Sequence, residues 1–187
     1  MRLTRVFVKS PLAPDADVNL PDAAANHVGR VLRLRAGAVI VAFDGSGNDY
    51  RCEILSVEGD AVRVRVGPRS SGLPESPLRI TLVQAVSRGE RMDWTLQKAT
   101  ELGVRTIVPV LSARSVVRLD DNQAEKKLRH WQAIVAGACE QCGRSVVPEI
   151  RQPQELSRYL ASSTREGQRF VLSPTGPASL AGLTSVG

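Results

Sequence analysis

Hydrophobic and polar positions change rhythm once along this chain. In the first part the period is two, the mark of half-buried strands. Ala38 to Phe43 is a short apolar run, closed by the turn cluster Asp44-Gly-Ser-Gly-Asn48. Tyr50, Cys52 and Ile54 then alternate with Arg51 and Glu53. After a second turn, Glu58-Gly-Asp60, Val62, Val64 and Val66 alternate with Arg63 and Arg65. Two hairpins in series predict a meander that must close or pack on something to bury its apolar face. Asp22 to Arg35 reads as partly helical, with Val28, Val31 and Leu32 on one side and Arg30 and Arg33 near the other. A small β-barrel with a helical insert fits this half.

Gly67-Pro-Arg-Ser-Ser-Gly-Leu-Pro-Glu-Ser-Pro77 reads as a linker that neither helix nor sheet runs through. It divides a first domain, residues 1–70, from a second, residues 78–187, with residues 71–77 between them. Beyond it strands and helices alternate. Leu78 to Val86 is strand-like, and Arg88 to Leu102 is helical, with Met92, Leu96, Ala99 and Leu102 on one stripe and Gly103 as the residue just past the end. Val104 to Leu111 is a β-branched run expected to end near Pro109. Asp120 to Gly143 predicts a long helix whose packed stripe is Leu128, Trp131, Val135, Ala138 and Cys142. Arg169 to Leu172 is a short strand candidate. The alternation implies an α/β domain with a mostly parallel sheet. The final stretch, Ser173 to Gly187, carries no helix pattern able to cover a last strand, which predicts that part of this domain is missing from the chain.

Composition adds a sign rather than an identity. The 187 residues are 42% hydrophobic, 24% charged and only 4% aromatic, so the core must be aliphatic and disorder is excluded. The formal net charge is +6, and among the basic residues only Lys9, Lys98, Lys126 and Lys127 are lysine. An arginine-rich positive balance favours a polyanionic partner. No apolar run reaches the roughly 20 residues that cross a bilayer. The amino terminus lacks a signal-peptide core, and three cysteines make no disulfide framework. These features predict a cytoplasmic location.

The short motifs are mostly bland. Cys139-Glu-Gln-Cys142 offers two thiols where a zinc site needs about four ligands. It also lies near the end of a helix, where the dipole does not activate a thiol. Two packed small residues are the reading it favours, and no metal is expected. His27 and His130 have no carboxylate partner at helical spacing, so solvated or packing roles are expected. Asp44-Gly-Ser-Gly47 joins two strands, as a hairpin turn does and a phosphate loop does not. The basic clusters say more: Arg30, Arg33 and Arg35; Arg63 and Arg65; and Lys126, Lys127, Arg129 and His130. A solvated face explains most such runs. With few aromatics to stack bases, RNA would be held mainly through phosphate and shape.

Three segments together carry a resemblance. They are Gln97-Lys-Ala-Thr-Glu-Leu-Gly-Val104, Ser112-Ala-Arg-Ser-Val-Val117, and Lys126-Lys-Leu-Arg-His-Trp-Gln132 leading into Ala138-Cys-Glu-Gln-Cys-Gly-Arg144 and Val147-Pro-Glu149. The first domain adds Arg5-Val-Phe-Val8, His27-Val-Gly-Arg-Val-Leu-Arg33 and Phe43-Asp-Gly-Ser-Gly47. In order and spacing they resemble the bacterial 16S ribosomal RNA uracil-N3 methyltransferases of the SPOUT superfamily, over residues 1 to about 175. That resemblance implies an N-terminal PUA-like β-barrel and a C-terminal SPOUT-type α/β methyltransferase domain with a trefoil knot. It also implies a homodimer, S-adenosylmethionine as methyl donor, and 16S rRNA of the small ribosomal subunit as partner. The implied chemistry is in-line transfer of a sulfonium methyl to N3 of a uridine. That nitrogen carries a proton, so a base or an electrostatic device favouring the deprotonated ring is required.

Carried over by residue, Arg5, Arg30 and Arg33 match barrel positions expected to contact RNA, and Arg114 and Arg144 match arginines facing the RNA or the cleft. Lys98, Glu101, Glu140 and Gln141 are either functional or ties between helices. Ala113 stands where the family usually has Glu, so any role of that acid does not transfer. The resemblance names no catalytic base. The family's Gly-Pro-Glu-Gly-Gly loop and its following Leu-Arg-x-Glu-Thr-Ala segment, which form the knot and most of the cofactor pocket, are not found. Leu172-Ser-Pro174 matches only the opening of the first cofactor loop, leaving Leu172 and Pro174 as cofactor-binding candidates. The polypeptide alone is therefore expected to bind the cofactor weakly or not at all. A non-catalytic RNA-binding or ribosome-associated module is the alternative reading.

Overall fold

The computed structural model describes residues 3–113, 117–162 and 167–173. In the first domain β3 (Val39–Phe43), β4 (Asn48–Glu58) and β5 (Ala61–Ser71) form the expected antiparallel meander. Two strands that the pattern was too short to reveal flank it. β1 (Arg5–Phe7) runs parallel to β3, and β2 (Asp17–Asn19) antiparallel to β5, giving the order β1-β3-β4-β5-β2. Tyr50, Cys52 and Ile54 turn inward with Val62, Val64 and Val66, the three valines at most 1% exposed, while Arg51, Glu53, Arg63 and Arg65 face solvent. Alternation at period two thus became a one-sided sheet, as pleat geometry requires.

The linker reading fails at its start, because β5 continues through Gly67 and Pro68 to Ser71. The register passes from Cys52↔Val66 to Tyr50↔Arg69, so Gly67 and Pro68 together oppose Arg51 alone. A bulge tolerates a proline that lacks a ladder donor. It also brings the two backbones together: a Cβ on Gly67 would stand 2.1 Å from the Arg51 carbonyl oxygen. The two residues that suggested a break build the bulge instead.

In the second domain β6 (Thr81–Ala85), β7 (Thr106–Leu111), β8 (Glu149–Ile150) and β9 (Gln154–Glu155) are all parallel, with β7 paired to each of the others. β7 runs past Pro109 rather than ending there. The Ile107 carbonyl accepts from Arg151 on the β8 side, and pairing resumes only at Val110↔Gln154. The missing N–H of Pro109 falls in the gap between β8 and β9, where no ladder bond is lost. Helix α2 (Glu90–Glu101) packs on α3 (Asp121–Cys142) through Met92, Leu96, Trp131 and Val135. Leu102 does not join them; it is 80% exposed, because the chain leaves the helix there.

Helix α3 is the most legible element. Asp120 accepts from the Gln123 amide at 2.7 Å while the Gln123 side chain accepts from the Asp120 amide, a reciprocal capping box. At the other end Gly143, at φ +95°, takes the left-handed conformation that few other residues adopt. A short helix, α4 (Leu156–Ser162), follows β9.

Two further expectations change. Residues 22–35 form α1 (Asp22–Asn26) and a π-helical turn, His27–Val31, yet only Val28 of the three expected apolar residues is buried. Val31 and Leu32 are 62% and 40% exposed, since the wide turn rotates them off the sheet. Arg169–Leu172 is not a strand. Phe170, Val171 and Leu172 are exposed, and no strand pairs with them among the described residues.

Candidate functional site

The most elaborate polar arrangement lies where the two domains meet. Gly143 ends α3 and turns the chain so that Arg144 and Ser145 enter the junction. Arg144 donates from Nε and Nη2 to both oxygens of Glu75, at 3.0 and 2.5 Å, and from Nη1 to the carbonyls of Thr100 and Val104 at 2.7 and 3.1 Å. One buried guanidinium therefore ties the interdomain segment to the end of α2. A bidentate carboxylate with satisfied remaining donors is the geometry that offsets the desolvation of a buried arginine.

Arg5 works from the other domain. Its Nη1 and Nη2 donate to Asp49 at 2.7 and 3.0 Å, and Nη2 also reaches Ser145 Oγ at 3.0 Å and the Arg144 carbonyl at 3.3 Å. Its guanidinium stands 4.9 Å from the centroid of the buried Phe43 ring. Ser145 Oγ donates to Asp49, and the Ser145 carbonyl accepts from the Gly47 amide at 3.1 Å. Burial pushes the Asp49 carboxyl up, but hydrogen bonds from Arg5 and Ser145 outweigh it and leave the group below the usual range. The backbone is equally close-fitting: a Cβ on Gly72 would meet Ser145 Oγ at 2.3 Å and the Gly47 carbonyl oxygen at 2.9 Å.

The Phe7 amide donates to Glu140 Oε1 of α3 at 2.8 Å. Burial raises the Glu140 carboxyl, a shift that this bond and the nearby His27 and Arg5 only partly oppose. Glu140 thus ties a helix to a strand of the other domain. The Asp44-Gly-Ser-Gly47 turn is a hairpin, and it is also a docking surface for the loop after α3. That second role joins residues about a hundred positions apart, which no local motif could reveal. Asp49, Glu75, Gly72 and Ser145 were missed for the same reason.

Of the residues expected to contact RNA, the fold brings Arg5 and Arg144 together at this junction and turns both inward. Arg30 and Arg33 stand elsewhere, on the exposed turn after α1, where Arg30 pairs with Asp60. Arg114 and Pro174 lie outside the described residues. Leu172 is 79% exposed. Arg63 and Arg65 share Asp17 across β2 and β5, so that basic pair is partly neutralised. His130 Nε2 lies 2.9 Å from Asp93 Oδ2, joining α3 to α2. Its carboxylate partner is on a different helix, beyond the helical spacing within which none was expected. Lys98 pairs with Glu101 one turn later. Cys139 is fully buried, with its thiol pushed up to about 12 by burial, so it is not a ready nucleophile.

An adenosyl group needs an enclosed apolar slot with a few converging polar groups. The described residues around Leu172 do not build one, because Phe170, Val171 and Leu172 all stand in solvent. Two open grooves of about 250 and 420 Å³ lie at the junction and share Leu73. Carboxylate-paired arginines line both. The described residues hold no cluster of three His, Cys, Asp or Glu side chains fit for a metal. No described helix is long and apolar enough to cross a membrane.

Comparison with known proteins gives this arrangement a context. A family model described as an RNA methyltransferase domain matches residues 74–186, and one described as an RNA methyltransferase PUA domain matches residues 20–67. The crystal structure of a ribosomal RNA small subunit methyltransferase E from Neisseria gonorrhoeae bound to S-adenosyl methionine aligns with a TM-score of 0.91 at 36% identity. The alignment covers 98% of this chain and 75% of that one. The chain belongs to the ribosomal RNA small subunit methyltransferase E family. A methyltransferase from Legionella pneumophila in complex with SAM has a TM-score of 0.89, again at 36% identity, over 94% of this chain and 72% of that one. Ribosomal RNA small subunit methyltransferase E of Buchnera aphidicola from Schizaphis graminum is 29% identical over 93% of this chain and 71% of its own length. In this family member the residues between the two matched segments, 68–73, are the end of β5, the glycine packed on Ser145 and the exposed Leu73.

Proposed function

We propose that this chain acts in S-adenosylmethionine-dependent methylation of N3 of a uridine in 16S ribosomal RNA, as a cytoplasmic homodimer. The observation that carries the reading is the likeness to the Neisseria gonorrhoeae protein over 98% of this chain, together with both family models. S-adenosylmethionine supplies an electrophilic methyl. The first domain, residues 1–70 and read as a PUA-like barrel, holds RNA, and residues 78–187 form part of a SPOUT-type methyltransferase domain, without the segments that tie the knot. Arg30, Arg33 and Arg114 meet phosphates.

Arg5 and Arg144 act differently, as clamps that keep the two domains in one orientation. Positioning two bound substrates is worth a large share of such a barrier, so a fixed spacing between RNA holder and donor site has catalytic value. Nucleoside mass spectrometry of 16S ribosomal RNA, from cells with and without this gene, tests the reading. Loss of N3-methyluridine on deletion, restored by the gene, is expected. Unchanged N3-methyluridine with loss of another methylated nucleoside would overturn the site, and no change at all would overturn the activity.

A further inference from the structure

The turn after α1 has features that the fold does not require. Val31 and Leu32 are the large hydrophobic residues exposed in the first domain, among the described residues. They do not sit on a loose loop. Val28 is fully buried beneath them with Ala24 and Ala25, and Leu34 packs against the same core. The Leu32 amide donates to the His27 carbonyl at 2.9 Å and the Leu34 amide to the Val28 carbonyl at 3.0 Å. Between them Arg33 holds φ +53°, a left-handed conformation that is uncommon for arginine. A π-helical turn followed by such a residue is costly to keep, and features of this kind gather at functional sites.

The surroundings select the occupant. Residues 27–35 read His-Val-Gly-Arg-Val-Leu-Arg-Leu-Arg, without an acidic side chain. Arg30, Arg33 and Arg35 are all exposed. Arg30 has Asp60 as a partner, whereas Arg33 and Arg35 have no carboxylate among the described residues. Two exposed aliphatic side chains framed by unpaired guanidinium groups match a strand of nucleic acid, which alternates apolar base faces with phosphates. Apolar side chains, leucine among them, pack on base faces where a step is unstacked.

We propose that residues 27–35 form a rigid ridge that reads single-stranded RNA, with Val31 and Leu32 packed against an unstacked base and Arg33 and Arg35 on the neighbouring phosphates. This rests on the RNA-modifying function above and assigns that function a mode of contact. The apolar pair discriminates single strands from duplex, whose bases are already stacked.

Fluorescence anisotropy on the full chain tests it, with a labelled oligouridylate and a blunt RNA duplex as probes. V31S with L32S should weaken oligouridylate binding about tenfold. It should leave the salt slope and the duplex affinity unchanged. R33A with R35A should weaken both and lower the single-strand salt slope by about 1.4. All four positions are exposed, so melting temperatures should match the parent and report that folding is intact. Parental oligouridylate affinity in V31S with L32S overturns the proposal while leaving the RNA function standing. A parent chain that binds neither RNA overturns both. A change in sedimentation of the free chain on V31S with L32S would make the ridge a contact between copies and would also overturn it.

Discussion

The junction and the ridge use the same side chain for opposite ends. At the junction the side chains of Arg5 and Arg144 keep 9% of their exposure, and each faces a carboxylate. On the ridge the Arg30 side chain keeps 63%, and Arg33 and Arg35 face no acid among the described residues. A buried guanidinium committed to a carboxylate and to neighbouring carbonyl or hydroxyl oxygens holds protein to protein. An exposed one retains its charge for a partner. Arginine content alone therefore says little about RNA contact; carboxylates and depth sort the residues.

The sharpest way to break the comparison is to remove a junction arginine. Arg144→Ala strands Glu75 and two carbonyls, and denaturant unfolding should show a loss of about 3–5 kcal/mol. Arg144→Lys should recover only part of it, since an ammonium cannot reproduce the fork. A loss under about 0.5 kcal/mol would make Arg144 an ordinary surface residue.

Backbone fit comes next. Gly72→Ala should lower stability by about 1–3 kcal/mol through its collision with Ser145 and Gly47. Gly137→Ala, on the open side of α3 with nothing within 4 Å of the added Cβ, should raise it by up to about 1 kcal/mol. Thermal unfolding of the pair separates junction packing from a general intolerance of larger residues.

Acid and base should pull the junction in opposite directions. Asp49 has a depressed carboxyl in the folded chain. Its contribution is complete above the ordinary value of about 3.9 and is lost as pH falls through the lower folded value. Glu140 is raised, so its contribution is complete below the ordinary value of about 4.3 and is lost as pH climbs through the raised one. Glu140→Gln keeps an acceptor for the Phe7 amide without the charge. The variant should melt above the parent at neutral pH, and the difference should vanish near pH 3. A constant difference across that range would assign the effect to packing.

The smallest stability change is expected on the ridge. Arg30→Ala with Arg33→Ala should shift unfolding by less than about 1 kcal/mol while weakening RNA binding and flattening its salt dependence. An unchanged salt slope would make these arginines solvated decoration.

What was legible in the sequence had short-range causes. The Asp120–Gln123 capping box and the Trp131, Val135 and Ala138 stripe announce α3, and the valines of β5 announce the sheet face. What was not legible depends on partners distant along the chain. Gly67 and Pro68 read as a break until Arg51 is seen opposite them. Pro109 reads as a strand end until the β8–β9 gap is seen beside it. Arg5 and Arg144 matched positions expected at RNA, and nothing near them in sequence foretells Asp49 or Glu75 as partners. The exposure of Val31 follows from one widened turn, a change of a single hydrogen-bond register that periodicity does not register.

Amide hydrogen exchange of the chain alone and with small ribosomal subunits from cells lacking the gene tests the division most directly. The account predicts new protection across residues 27–35, with residues 5–7 and 143–147 already protected in the free chain and unaltered. New protection at the junction together with an unprotected ridge would contradict it.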